Sequence, residues 1–172
     1  MELYTLSVLV ANHFGTLTRV TNLFSRRGYN IKELTVGETE NPKLSRITIV
    51  TEGDEPLLRQ IRKQLSKLHD VKAAKVLPFE DSVSRELLLV KVKACPEVYD
   101  VLRKTRAVVL DGSDECIIAE ITGETKEIND FIEIITKFDI LEICRTGATA
   151  LQKGGANINS DLEVNGNGNY VL

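Results

Sequence analysis

Cysteine is scarce in this chain: three residues, Cys95, Cys116 and Cys144, widely separated and odd in number. There is no Cys-x-x-Cys pair, and only two histidines, His13 and His69, stand by to assist. Neither a disulfide scaffold nor a zinc site is therefore expected. Cys116 and Cys144 fall in apolar, strand-like runs and read as small buried hydrophobes. Long apolar runs are missing too; the densest, over 87–90, falls far short of the roughly 20 residues that span a bilayer. The opening residues, Met-Glu-Leu-Tyr-Thr-Leu, carry no basic stretch and no cleavable apolar segment, which predicts a cytoplasmic protein. Nor is there an excess of one charge. With 22 basic and 25 acidic residues the net charge is −3, so nothing draws the chain in bulk to nucleic acid or to an acidic membrane.

What is present is ordinary globular material, 42% apolar and 27% charged over 172 residues. Two consecutive passes along it show the same order of elements, which predicts two domains of about 80 residues each. In the first, Tyr4, Leu6, Val8 and Val10 alternate as a strand over 3–10. Leu17, Val20 and Phe24, with Leu23 adjoining, form one helical face, and Gly28 is placed to close that helix. Strands over 31–38 and 44–51 flank a turn at Asn41-Pro42. Asp54 is placed to cap a helix presenting Leu57, Leu58, Ile61, Leu65 and Leu68, and 71–77 is the last strand. The second pass predicts a strand over 86–94, a helix over 96–104 opened by Pro96, and strands over 106–111 and 115–122 about Gly112. A helix over 126–138 with Ile128, Phe131, Ile132, Ile135 and Phe138 inward, then a strand over 141–146, complete it.

The expected fold is thus α+β, two consecutive ferredoxin-like βαββαβ domains, each a four-stranded antiparallel sheet with two helices on one face. The first covers 1–78, a polar linker 79–84, and the second 85–152. The rest, 153–172, rich in Gly and Asn with little to bury, reads as a flexible tail, disordered over 165–169. In the expected strand order 4-1-3-2 the second strand lies at an edge.

The most informative chemistry is the loop that enters the first helix. A helix N-terminus presents N–H groups without intrahelical partners and a partial positive charge, a natural seat for a carboxylate. Gly15 hands the chain into that helix, and Asn12 just before it offers an amide that donates and accepts. These parts suit the common end of a small amino acid better than they suit a reaction. Other uses of the fold fit less well. An RNA-binding module stacks bases on aromatics of its first and third strands. Here the third strand, Leu-Ser-Arg-Ile-Thr-Ile-Val-Thr, has none, and the first offers only Tyr4. A small phosphatase needs an anion-gripping loop with an arginine. Ala-Asn-His-Phe-Gly has none, Arg19 falls inside the helix, and His13, with no carboxylate at a persuasive spacing, reads as a solvated loop residue. Packing also accounts for some candidates, since Gly15 suits a turn, Leu17 a core and Ile31 a strand. Asn12 and Asn30 are the sharper pair.

The residues themselves carry a resemblance. The run Leu6-Ser-Val-Leu-Val-x-Asn12-x-x-Gly15-x-Leu17-x-Arg19-Val20 is followed by Leu23-Phe24-Ser25-x-Arg27-Gly28-Tyr29-Asn30-Ile31-x-x-Leu34-Thr35-Val36. Leu44-Ser45-Arg46-x-Thr48-Ile49 and Gln60-Ile61-x-Lys63-Gln64-Leu65-x-Lys67-Leu68-x-Asp70-Val71 come next, and Arg85-Glu86-Leu87-Leu88-Leu89-Val90-Lys91 opens the second half. Over roughly 6–151 the chain resembles the regulatory (small) subunits of acetolactate synthase, also called acetohydroxyacid synthase, whose first half is an ACT domain. The stretch 93–114 and the glycine-rich tail depart from that pattern.

The resemblance implies a non-catalytic subunit that activates the synthase catalytic subunit and confers feedback inhibition by valine in branched-chain amino acid biosynthesis. It implies a homodimer through the ACT domains, with valine between them. Asn12, Gly15, Thr16 and Leu17 of one chain would meet its carboxylate end, and Asn30 and Ile31 would come from the other chain. No cofactor or metal is expected in this chain; thiamine diphosphate, FAD and magnesium would belong to the catalytic partner. An ACT-type sensor for a different metabolic enzyme, or a stand-alone small-ligand-binding protein, is the alternative. Valine over leucine or isoleucine rests on the resemblance, because one methylene in an apolar pocket changes binding by only about 1–3 kcal/mol.

Overall fold

A computed structural model describes residues 2–161. The described chain divides into two compact units, 2–83 with 150–161, and 84–149. The first begins with β1 (Glu2–Ala11), α1 (Thr16–Arg27), β2 (Ile31–Glu38), β3 (Leu44–Gly53), α2 (Glu55–Leu65) and β4 (Val71–Leu77). The strands form an antiparallel sheet in the order β2-β3-β1-β4, so β2 is an edge strand as expected. The alternation in β1 does what it predicted: Leu6, Val8 and Val10 are buried together with Ile47 and Ile49 of β3, Val20 and Phe24 of α1, and Leu58, Ile61 and Leu65 of α2. Each such side chain contributes about 1.5–3 kcal/mol of burial.

The helix ends follow from single residues. Gly28 takes φ 69°, ψ 23° after α1, a left-handed closure that glycine adopts at little cost. There its N–H donates to the Ser25 carbonyl at 3.2 Å, and the next N–H, of Tyr29, donates to Phe24 at 3.0 Å. Tyr29 then lays its ring edge-on to Phe24, centroids 6.0 Å apart. Asp54 caps α2 by accepting the Leu57 N–H on Oδ1 at 2.9 Å.

The second unit repeats the plan. It contains α3 (Pro96–Lys104), β6 (Val108–Gly112), β7 (Cys116–Gly123), α4 (Thr125–Ile135) and β8 (Ile140–Arg145), together with most of β5 (Ser82–Lys93). The strand order β6-β7-β5-β8 matches that of the first sheet. Leu88, Val90, Val92, Val98, Leu102, Ile117, Ile128, Phe131 and Ile135 are its core. At the start of that core Glu86, with no side-chain exposure, accepts hydrogen bonds from Thr125 Oγ1 and from Nε of Arg145.

Four expectations need correction. The second unit's first strand starts at Ser82, inside the expected linker, because β9 (Thr149–Gln152), a strand no alternation announces, pairs with β5. Helix α4 stops at Ile135, although Phe138 beyond it still packs on the core. Cys116 is only half-buried and Cys144 is exposed. Cys144 lies opposite Leu89, on the face turned away from Val90 and the core, and in an edge strand.

The fourth concerns the tail. Over 153–161 it is anchored to the first unit, to which 150–161 belongs. Ile158, in a short 3₁₀ turn (Ile158–Asp161), is buried among Leu9, Leu44 and Ala73. The Lys153 N–H donates to the Asp81 carbonyl at 2.7 Å, and Arg46 Nη2 donates to the Ala150 carbonyl at 3.2 Å. The physical reason is the sheet's second face. Leu9 stands opposite Arg46 and Ala73, on the side away from Val8 and Val10, and needs cover that the two helices cannot give. The residues expected to be disordered, 165–169, lie outside the described residues.

Candidate functional site

The loop between β1 and α1 is built around one left-handed residue. Gly15, at φ 85° and ψ −8°, is the N-cap of α1 and offers no side-chain cap to its first turn. A Cβ there would sit 3.2 Å from Arg19 Nη1, so both backbone and space favour glycine. The Thr16 N–H turns back to the His13 carbonyl at 3.3 Å, and the Gly15 carbonyl takes the first helical bond, from Arg19 at 3.0 Å. The first turn of α1 thus has neither a side-chain cap nor an acidic residue of its own. Thr16 is buried, Leu17 is 38% exposed and Phe14 wholly so. An apolar wall therefore flanks a polar helix end.

Asn12 is less free than its residue type suggests. Its Nδ2 donates to Glu38 Oε2 at 3.1 Å and to the Pro42 carbonyl at 2.9 Å, tying the loop to the β2–β3 hairpin. With both amide hydrogens engaged, what Asn12 still offers is its carbonyl oxygen, an acceptor.

Asn30 and Ile31 lie elsewhere. Ile31 opens β2 opposite Thr51, with Asn30 just before it, while Glu38, the residue bonded to Asn12, closes the strand opposite Ser45. Eight residues of strand put the two ends roughly 23 Å apart. Within one chain, then, Asn12, Gly15, Thr16 and Leu17 are together and Asn30 and Ile31 are not. Asn30 is exposed, its carbonyl accepting from Thr51 Oγ1 at 2.6 Å, and Ile31 packs at the margin of the core.

His13 is an exposed loop residue as expected, but the absence of a carboxylate near it is not borne out. It has a carboxylate partner: Nε2 is 3.1 Å from Asp70 Oδ1, and Arg19 Nε is 2.9 Å from Asp70 Oδ2. His13 Nδ1 lies 3.2 Å from Thr16 Oγ1. Asp70 reaches the loop because β4 pairs with β1, and its own carbonyl accepts the Ala11 N–H at 2.8 Å. Spacing along the sequence gives no pointer to this contact; only the pairing of two distant strands does. Among the described residues there is no group of three or more His, Cys, Asp or Glu side chains able to hold a metal ion. No helix there is long and apolar enough to cross a membrane.

Comparison with known proteins places this arrangement in a family. Residues 6–73 match the model for the AHAS small subunit-like ACT domain, and 85–154 match that for the small subunit of acetolactate synthase. The acetolactate synthase small subunit of Bacillus subtilis (strain 168) is 39% identical over 155 residues, covering 87% of this chain and 90% of that protein. The small subunit from Mycobacterium leprae (strain TN) is 41% identical over 155 residues, covering 88% and 92%. The crystal structure of the Thermotoga maritima small subunit superposes with a TM-score of 0.86 at 36% identity, over 91% of this chain and all of that one. The chain belongs to the acetolactate synthase small-subunit family, and its first half is the ACT domain of that family.

Proposed function

We propose that this chain activates the catalytic subunit of acetolactate synthase and makes it sensitive to valine, bound between the ACT domains of two copies. The observation that carries the reading is the uncapped start of α1 at Gly15, with Phe14 and Leu17 exposed beside it. A zwitterionic amino acid with a branched apolar side chain complements those groups. Its carboxylate lies over the helix N-terminus, its ammonium meets the Asn12 carbonyl oxygen, and its side chain lies against Leu17.

The open edge of β2 supports a two-chain site. Antiparallel pairing of β2 with its copy across a two-fold axis joins the sheets and hides both rows of backbone groups. Such pairing brings the first residues of one β2 beside the last of the other, next to the Glu38 that Asn12 holds. Asn30 and Ile31 of the partner subunit then complete the pocket. A site made by two chains lets an effector change how they pack, which is how a separate catalytic subunit is informed. Thiamine diphosphate, FAD and magnesium sit on that partner, and the chemistry is the partner's.

The chain is expected to sediment as a dimer at micromolar concentration and to bind valine. Valine at 100 times its dissociation constant is expected to add about 2.7 kcal/mol to the stability of the folded state. Sedimentation as monomer alone, or no stabilisation by valine, leucine or isoleucine, would contradict the reading.

A further inference from the structure

Among the described residues Asp70 is the one buried acidic side chain facing the 12–17 loop, and the effector reading assigns it no part. Its side chain is 6% exposed, yet both its oxygens are taken by side chains from the loop and helix, His13 and Arg19, each half-exposed. His13 continues the chain of contacts. Its Nδ1 lies 3.2 Å from Oγ1 of Thr16, the first residue of α1, and 3.2 Å from the Phe14 carbonyl oxygen. One buried carboxylate thus grips the loop before Gly15 through His13 and the helix after it through Arg19. Between the two grips lies the left-handed turn at Gly15, where the Arg19 guanidinium already passes 3.2 Å from the position of a Cβ.

We infer that Asp70 is a positioning residue for the effector site: a clamp that fixes the Gly15 turn and so holds the N–H groups of the first turn of α1 ready for a carboxylate. This inference rests on the effector reading above. Asp70 touches no ligand in this scheme; it acts through His13 and Arg19. Ion pairs and hydrogen bonds that involve a buried charge are stronger than their exposed counterparts, because water does not compete fully for the carboxylate. A binding site held in its bound geometry before the ligand arrives avoids the ordering cost on binding. Loss of the clamp therefore shows in affinity even where the fold survives.

The test uses Asp70→Asn, Arg19→Gln and the double variant in the full chain, with amide hydrogen exchange and valine calorimetry on each. Arg19 lies on the exposed side of α1, so Arg19→Gln keeps the test open if Asp70→Asn folds poorly. Exchange at the Thr16 and Arg19 amides, which donate to the His13 and Gly15 carbonyls across the turn, is expected to quicken about tenfold or more against the rest of β1 and α1. Valine affinity is expected to fall about tenfold or more with the number of sites unchanged. Because both residues act through one clamp, the double variant is expected to lose no more than Asp70→Asn alone. Unaltered exchange in the loop would overturn the clamp. A loosened loop with parental affinity, or losses that simply multiply, would overturn its part in binding. If the parent chain binds no valine, the effector reading fails by itself, and the exchange rates still decide whether Asp70 orders the turn.

Discussion

Gly15→Asp is expected to abolish the response to valine in a chain that still folds. Three physical terms act together. The new carboxylate occupies the helix N-terminus, where the ligand's carboxylate is proposed to sit, and repels an incoming anion. Its Cβ arrives 3.2 Å from Arg19 Nη1, so the side chain competes with Asp70 for that guanidinium. The left-handed backbone at φ 85° adds about 1–2 kcal/mol of strain for a residue with a Cβ, with Asp among the more tolerant types. The last term affects stability alone, and Gly154→Asp isolates it. Gly154 has φ 72° and nothing within 4 Å of its Cβ position, next to Lys153, whose N–H is held by the Asp81 carbonyl. Both variants are expected to lose stability by a similar amount in thermal unfolding, and only Gly15→Asp to lose valine affinity, by at least about tenfold. Normal valine binding by folded Gly15→Asp would remove the helix start from the site.

Glu86→Ala is expected to cost the folded state about 3 kcal/mol. The carboxylate has no exposure and is held by Thr125 Oγ1 and Arg145 Nε. Removing one member of a buried pair costs about 3–5 kcal/mol, because the other charge loses its counter-ion where water cannot fully replace it. The Arg145 side chain is 29% exposed and also donates to Asn129 Oδ1 at 3.0 Å, which places the loss at the lower end of that range. Glu86→Gln keeps shape and an acceptor and is expected to cost about half as much. Denaturant unfolding of the two variants measures both. A loss below about 0.5 kcal/mol for Glu86→Ala would show the pair to be energetically idle.

The elements of both units are legible because each rests on neighbours in the sequence. Leu6, Val8 and Val10 alternate into one core, Gly28 closes α1 with a positive φ, and Asp54 caps α2, all from local geometry. The helix start at Gly15 is legible for the same reason. What escapes is held together by strand pairing between distant segments. Asp70 meets His13 and Arg19 only because β4 lies against β1. Ile158 is buried only because Leu9 and Ala73 share the sheet face away from the helices. Leu9 is the residue that could have signalled this, an apolar side chain out of phase with its own strand. Asn12 shows the opposite limit: its type announces hydrogen bonding, but that both amide hydrogens go to Glu38 and Pro42 is visible only in three dimensions. Asn30 and Ile31 lie at the far end of β2 from it, so their place in a common pocket depends on a second chain.

The most direct test of the regulatory role is acetolactate formation from pyruvate by a thiamine-dependent catalytic subunit from the same organism, measured with and without this chain and with and without valine. Addition of the chain is expected to raise the rate, valine to lower it only when the chain is present, and the chain alone to consume no pyruvate. An unchanged rate and unchanged valine sensitivity on mixing, or pyruvate turnover by the purified chain alone, would contradict the account.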